Sequence, residues 1–177
     1  MNEKVISIFG SGRAGKDDYS FLLAYQIGKL LAEAGFTIAN GGYGGTMLAS
    51  AKGASEVGGK IIGVTCTAFD GRANEYVTKE IVSKSLDERL HNLIKLAEGY
   101  VVLPGGTGTL LELAFVWELK NKGFIKSDKS IILVGGFWKP VIDLVSKDDP
   151  ASAKCVSFAA EAEEVVGLLS GMNTSDD

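Results

Sequence analysis

The sequence has little of several residue types that mark particular classes of protein. Of its 177 residues, two are cysteine, one is histidine and three are proline. Cys66 and Cys155 are too few for a disulfide framework and His91 stands alone, so we expect reduced cysteines and no metal site. The scarcity of proline, without any G-X-Y repeat, excludes collagen and proline-rich linkers.

Positive charge and long apolar runs are also scarce. Eighteen Lys and Arg stand against 22 Asp and Glu, and the resulting net charge of −4 argues against nucleic-acid binding through a basic surface. No apolar run approaches the roughly 18 residues of a transmembrane helix, and we expect no signal peptide before Val5. These absences predict a cytoplasmic protein that binds neither nucleic acid nor membrane.

Glycine is the residue in excess. The chain has 23 glycines, about 13% of the total against a usual level of about 7%. Together with 46% hydrophobic residues, this composition is typical of a folded protein whose backbones approach closely or turn with positive φ. The length predicts a single domain over residues 1–170, followed by a frayed polar tail at 171–177.

Short apolar runs alternate with longer helical patterns. The predicted strands are Val5–Phe9, Phe36–Ala39, Ile61–Val64, Tyr100–Leu103 and Ile131–Val134. The predicted helices are Tyr19–Ala34, Thr46–Glu56, Leu86–Ala97, Thr109–Lys120 and Pro140–Val145, with weaker signals for a strand at Val77–Val82 and a helix at Glu161–Leu169. Continuous apolar strands alternating with helices predict an α/β, three-layer Rossmann-like fold, a parallel sheet with helices on both faces.

Ten of the glycines cluster where a predicted strand leads into a helix. They are Gly10, Gly12, Gly15, Gly41, Gly42, Gly44, Gly45, Gly105, Gly106 and Gly108. Ligands of open parallel sheets bind at the carboxyl ends of the strands, where helix N-termini attract anions. The three loops therefore predict an anion-binding edge, although the glycines could also serve only as tight turns.

The first glycine loop, Gly10–Asp17, matches G-x-G-x-x-G. A dinucleotide site would also need an acidic residue about 20 positions later, and the second strand ends instead at Asn40. The loop nearly matches a P-loop through Lys16, but aspartate follows where magnesium binding needs Ser or Thr. Neither interpretation is favoured, and a phosphate, sugar or base contact by Ser11 or Arg13 stays open.

The third glycine loop, Pro104–Glu112, carries the strongest signal. Its amides and its two threonine hydroxyls at a helix start suit a phosphate monoester. Thr109 and Glu112 also match a capping box, in which the glutamate serves only the helix end. The helix is apolar nearly all round and therefore predicted to be buried, where an unpaired carboxylate is costly, so Glu112 is a candidate functional group. We interpret Glu118 as structural.

An arginine stands out in the helix that precedes this loop. Leu86, Leu90, Leu93, Ile94 and Ala97 form an apolar stripe at helical spacing. Arg89 lies on the flank of that stripe, which allows either a functional role or a surface arginine that packs its stem on apolar neighbours. His91 points away from the stripe, and we interpret it as an exposed polar residue.

These motifs resemble those of a known family. Pro104–Glu112 resembles the P-G-G-x-G-T-x-x-E signature of the LOG ("lonely guy") family of nucleoside 5′-monophosphate phosphoribohydrolases, long labelled as lysine decarboxylases. Arg89, 23 positions before Glu112, is similar in placement to the family's catalytic arginine. Gly41–Met47 resembles the family's second glycine loop, and Gly10-Ser11 resembles the first. The resemblance extends over about residues 4–145.

The resemblance implies an activity and a set of site residues. It implies hydrolysis of the N-glycosidic bond of a cytokinin-type or AMP-like nucleotide, giving free base and ribose 5-phosphate, by a homodimer that needs no cofactor or metal. Glu112 and Arg89 would be catalytic. The phosphate would bind at Gly105, Gly106, Thr107, Gly108 and Thr109, and other substrate contacts would come from Gly10, Ser11, Gly42, Gly44 and Met47. Because relatives include a molybdenum-cofactor carrier protein, the alternative is a non-catalytic nucleotide or molybdenum-cofactor carrier.

Overall fold

The structure, a computed structural model, describes residues 4–69 and 71–170 as alternating strands and helices. The strands are β1 (Val5–Phe9), β2 (Thr37–Asn40), β3 (Ile61–Cys66), β4 (Lys79–Ser83), β5 (Gly99–Val102), β6 (Ser130–Val134) and β7 (Ser157–Ala159). The helices are α1 (Tyr19–Glu33), α2 (Thr46–Glu56), α3 (Leu86–Leu96), α4 (Thr107–Asn121), α5 (Lys139–Val145) and α6 (Ala162–Ser170), with a 3₁₀ turn at Ser152–Cys155. The predicted tail, 171–177, lies outside the described residues.

The strands form one parallel sheet with helices on both faces. Their order is β4-β3-β2-β1-β5-β6-β7, and each neighbouring pair is parallel. Ile6 and Ile8 of β1 pack into one apolar cluster with α1, α2 and α6, whereas Val5 and Phe9 pack into another with α3, α4 and α5. Because neighbouring residues of a strand point to opposite faces, each strand contributes to both clusters. The predicted three-layer α/β fold is confirmed.

The strand order creates a crevice near β1. The chain builds the sheet outward from β1 to β4, then returns to place β5 on the other side of β1. In an open parallel sheet, the loops that follow the two strands at such a reversal diverge and leave a cleft at the carboxyl edge. The first and third glycine loops follow β1 and β5, so both line this cleft.

Two edge strands show what the sequence pattern predicted poorly. The weak strand signal at Val77–Val82 corresponds to β4, which begins two residues later and pairs with β3. Strand β7 was not predicted because Ser157–Ala159 is short and carries no apolar run. Its strand conformation comes from pairing with β6, which offers it a free edge.

Some of the glycine excess lies away from the three loops. Gly28 of α1 and Gly53 of α2 each face the backbone of the other helix, and a Cβ atom on either would overlap a carbonyl oxygen there. The two helices therefore pack backbone to backbone over the sheet. These two glycines serve core packing, while those in the loops shape the cleft.

Candidate active site

A cleft of about 540 Å³ opens at the carboxyl edge of the sheet. Its walls come from the loops after β1, β2, β3 and β5, from the first two turns of α4, and from one residue each of α2 and α3. The lining residues are Gly10, Ser11, Gly12, Arg13, Tyr43, Met47, Phe69, Arg89, Gly106, Thr107, Gly108, Thr109 and Glu112. Most of the predicted site residues therefore meet in one cavity. Gly42, Gly44 and Gly105 belong to the same loops but do not line it.

The start of α4 forms one wall of the cleft. The helix begins at Thr107 with Gly106 as its N-cap, two residues before the predicted start. The amide of Leu110 donates to the carbonyl of Gly106, so the amides of the three residues before Leu110 precede the first bond of the helix. Free amides and the positive end of the helix dipole at a cleft suit an anion such as a phosphate.

The capping-box interpretation of Thr109 and Glu112 is wrong. Thr109 lies within the first turn of α4, and the N-cap is Gly106, which has no side chain to make a capping hydrogen bond. Glu112 consequently lies in the second turn of α4, beyond the reach of a capping role at Gly106. The Glu112 carboxylate is therefore free of a helix-capping role and points into the cleft, where its side chain is only 14% exposed.

Arg89 approaches Glu112 from the opposite wall. Its residue is 8% exposed, so the interpretation as a surface arginine is wrong. The Nε atom donates to the carbonyl oxygen of Val64 at 2.8 Å, and Nη1 lies 3.8 Å from Oε1 of Glu112. The guanidinium carbon lies 5.8 Å from the ring centroids of both Tyr43 and Phe69, within cation–π range. The Arg89 guanidinium is thus held beside the Glu112 carboxylate by contacts with Val64, Tyr43 and Phe69.

Burial perturbs the titration of Glu112. Loss of solvent raises the pKa of Glu112 from 4.5 to about 7, and the nearby Arg89 charge opposes part of that rise. The carboxylate is consequently near its midpoint at neutral pH. A group with a pKa near the working pH can both take up and return a proton, which is the property required of a general acid–base.

The glycine loop after β2 is held by a buried amide. The Asn40 side chain accepts a hydrogen bond from the Gly42 amide at 2.8 Å and donates to the Met47 carbonyl at 3.0 Å and to Ser50 Oγ at 3.1 Å. Asn40 occupies the end of the second strand, where a dinucleotide site would need an acidic residue. These hydrogen bonds tie the loop to α2, so the Asn40 side chain is committed to the protein itself, which further disfavours a dinucleotide interpretation.

The P-loop interpretation finds no support either. Lys16 lies outside the cleft and lines a separate surface cavity with residues of α1 and α2. The amide of Gly15 donates to Asp18 at 2.7 Å, so this loop is closed by a side chain of its own. Ser11 and Arg13 do line the cleft, and the Ser11 hydroxyl accepts a hydrogen bond from the Arg13 amide at 3.2 Å.

Two aromatic residues of the cleft were missed at the sequence level. The Tyr43 hydroxyl accepts from the Cys66 amide at 2.9 Å and lies 3.2 Å from the carbonyl oxygen of the same residue. The ring of Phe69 meets that of Tyr43 edge-on, with centroids 6.1 Å apart, and is 43% exposed. Tyr43 stands inside the second glycine loop and could have been noticed there. Phe69 carries no motif, and only the path of the chain after β3 brings it to the cleft.

Metal-ligand clusters, disulfides and membrane-spanning helices are absent from residues 4–69 and 71–170. No group of three or more His, Cys, Asp or Glu side chains there could hold a metal ion. Cys66 and Cys155 are both free thiols. None of the helices in this part of the chain combines the length and the apolar character needed to cross a bilayer.

Comparison with known proteins relates this chain to a family. The model of the SLOG cluster4 family matches residues 3–166. An uncharacterised protein of Archaeoglobus fulgidus is 30% identical over 74% of this chain and 83% of its own length. A probable cytokinin riboside 5′-monophosphate phosphoribohydrolase of Oryza sativa subsp. japonica is 26% identical over 94% of this chain and 76% of its own.

A solved structure extends the likeness over nearly the whole chain. The molybdenum cofactor binding protein of Rippkaea orientalis superposes with a TM-score of 0.81, covers 98% of this chain and 99% of its own, and is 23% identical. At that identity the likeness concerns the fold. The sequence match is therefore to a probable phosphoribohydrolase, whereas the shared fold is that of a molybdenum cofactor binding protein.

Proposed function

Because the chain belongs to the SLOG cluster4 family, we propose that it is a nucleoside 5′-monophosphate phosphoribohydrolase, which hydrolyses the N-glycosidic bond of a cytokinin-type or AMP-like nucleotide. The observation that carries the proposal is the pairing of Glu112 and Arg89 beside the free amides of α4. A carboxylate and a guanidinium 3.8 Å apart supply a proton acceptor and a fixed positive charge next to an anion site.

The phosphate group anchors the substrate at the start of α4. The amides of Thr107, Gly108 and Thr109 and the hydroxyls of the two threonines would bind the 5′-phosphate oxygens. Gly106 lies at the N-cap, where the absence of a side chain leaves the approach open. Anchoring the phosphate holds the ribose over the cleft, so that its anomeric carbon can reach the carboxylate of the next helical turn.

Glu112 then acts on the water and the sugar. Its ionised form accepts a proton from a water molecule as the water oxygen bonds to the anomeric carbon and the carbon–nitrogen bond breaks. The same negative charge stabilises the positive character that develops on the sugar ring. The proton that Glu112 takes up is returned to the departing base, so the reaction consumes one water molecule and releases free base and ribose 5-phosphate.

Arg89 would act as a fixed charge rather than as a proton donor. Its guanidinium can stabilise the negative charge on the leaving nitrogen or on the phosphate and hold Glu112 in orientation. The hydrogen bond to Val64 and the neighbouring Tyr43 ring prevent it from swinging away when the cleft is empty. This preorganisation avoids reorganising the charge during the reaction.

An assay of base release tests the proposal. The protein is incubated with AMP, N6-isopentenyl-AMP and other nucleoside monophosphates, and free base is measured by chromatography. Glu112→Gln is expected to abolish release while it retains ribose 5-phosphate binding, measured by calorimetry. Glu118→Gln, a carboxylate on the exposed side of the same helix, is the matched control and should hydrolyse normally.

The outcome also separates the two candidate functions. Release of base that depends on Glu112 supports the hydrolase. Tight binding of nucleotides by the wild-type protein, with no base released from any member of the panel, would instead favour a non-catalytic nucleotide or molybdenum-cofactor carrier.

We also propose that the chain forms a homodimer through the outer side of α4. Leu113, Val116 and Trp117 face the core, while Leu110 and Leu111 are 39% and 42% exposed. Adjacent exposed apolar side chains on a helix favour burial against another surface. A second copy that covers α4 would bury these two leucines.

A further inference from the structure

Gly41 lies directly behind the guanidinium of Arg89. It is buried and follows the last residue of β2. A Cβ atom built on Gly41 would overlap Nη2 of Arg89 and would lie 3.1 Å from Cζ of the same side chain and 2.6 Å from Sδ of Met47. No side chain larger than hydrogen fits at this position while Arg89 keeps its place.

The backbone does not require glycine at this position. Gly42 and Gly45 of the same loop have φ values of 76° and 61°, in the left-handed region that favours glycine. Gly41 is not among the residues with positive φ, so other amino acids could adopt its backbone conformation. The requirement for glycine at position 41 is therefore one of space.

Of the two neighbours in that space, only Arg89 is fixed. Met47 is an unbranched, flexible side chain whose sulfur can move aside. Arg89 is 8% exposed, its Nε is bound to the Val64 carbonyl, and its guanidinium lies near two aromatic rings. Extra volume at position 41 would have to displace the charged end of Arg89.

We propose that Gly41 is a positioning residue, whose missing side chain leaves the slot that holds the Arg89 guanidinium beside Glu112. The steric part of this proposal is independent of any reaction. Its consequence for catalysis rests on the proposed hydrolase function. Filling the slot would move the guanidinium away from the carboxylate without changing either charged residue.

A double-mutant cycle on stability tests the steric coupling without substrate. Gly41→Ala is expected to raise the unfolding equilibrium constant about tenfold or more in the wild-type background, as overpacking of a filled site commonly does. In an Arg89→Ala background the slot is empty, and the same substitution should change the constant by less than about threefold. Equal effects in the two backgrounds would overturn the proposal.

Two further arms remove ambiguity from the cycle. In a Met47→Ala background, Gly41→Ala should raise the unfolding equilibrium constant as much as it does in the wild type, because the Arg89 guanidinium still occupies the slot. If Gly41→Ala no longer destabilises the protein in the Met47→Ala background, the clash is with Met47, and the proposal is contradicted. If Gly41→Ala does not fold, folding of the double variant with Arg89→Ala supports the proposal, and its failure to fold contradicts it.

The functional readout is the pH dependence of AMP hydrolysis. The charged and titratable groups that line the cleft with Glu112 are Arg89, Arg13 and Tyr43. Displacing Arg89 moves its positive charge away from Glu112, so ionised Glu112 is less favoured. The acidic limb of the pH–rate profile of the Gly41→Ala variant should therefore move to higher pH. A purely structural defect would lower the rate without moving the limb, and this result would overturn the positioning role.

A control glycine and the cycle together separate this inference from the proposed activity. Gly136 has open space around its Cβ position and no positive φ, so Gly136→Ala should leave stability and hydrolysis unchanged. Should the wild-type protein release no base, the hydrolase proposal fails, while the double-mutant cycle still decides whether Gly41 makes room for Arg89.

Discussion

Replacement of Glu112 by glutamine is expected to stabilise the protein above neutral pH. In the folded state the pKa of Glu112 is raised to about 7 because the carboxyl group is desolvated, whereas the ordinary value of 4.5 applies to the unfolded chain. Between these two values the native state binds more protons than the unfolded state. The free energy of unfolding therefore falls as pH rises through this window and stays lowered above it.

The magnitude follows from the same two values. The gap between 4.5 and about 7 corresponds to about 3 kcal/mol, at about 1.4 kcal/mol per pH unit. Integrated over pH, ionisation of Glu112 costs about 1 kcal/mol at about pH 5.5 and about 3 kcal/mol at about pH 8.5. Glutamine keeps the shape and removes the charge, so the Glu112→Gln variant should gain these amounts over the wild type.

Urea unfolding of both proteins at several pH values measures the effect. The difference in unfolding free energy should grow by about 2 kcal/mol between about pH 5.5 and about pH 8.5. Glu118→Gln is the control: this residue is exposed on the same helix, and substitutions at exposed positions usually change the free energy of unfolding by less than about 0.5 kcal/mol. A Glu112→Gln variant less stable than the wild type at the higher pH, or a difference independent of pH, would refute the reasoning.

Three further predictions concern activity, binding and assembly. The kcat/KM for AMP should fall about tenfold per pH unit below a limb near pH 7, because Glu112 must be ionised to accept a proton, and a flat profile from about pH 5.5 to 8 would contradict that role. Phe69→Ala should weaken AMP binding about tenfold, because stacking on the base is lost, and should leave ribose 5-phosphate binding unchanged; both are measured by calorimetry. Phe124→Ala, at another exposed phenylalanine, is the control. Equal losses of affinity for both ligands would argue against a contact between Phe69 and the base. Leu111→Glu should halve the mass measured by light scattering in solution, whereas Leu168→Glu, on an exposed face of α6, should not; an unchanged mass would exclude α4 as the interface.

The strand pattern was the part of the fold that the sequence predicted best. The run at Val5–Phe9 is buried on both faces of a parallel sheet, and such strands are continuously apolar, so their pattern is visible without knowledge of their neighbours. The start of α4 was predicted less well. Thr109 and Glu112 match a capping box by spacing, but the helix begins two residues earlier, at Thr107, with Gly106 as its N-cap.

The candidate site also has parts that the sequence predicted and parts that it did not. The glycine loops and the acidic residue of Pro104–Glu112 follow directly after strands, so sequence order alone predicts that they share one edge of the sheet. The environment of Arg89 could not be predicted, since a position on the flank of a helical stripe is compatible with burial or exposure. Phe69 had no sequence signal, because its place depends on the loop after β3.

The sequence by itself determined the alternation of strands and helices and the clustering of glycines at their junctions, because both are local properties of the chain. Only the tertiary structure decided that Arg89 and Glu112 face each other 3.8 Å apart, since they lie on different helices that the sheet order brings to opposite walls of one cleft. It also decided the pKa of Glu112 and the need for glycine at position 41. Desolvation and steric overlap depend on neighbours that are distant along the chain.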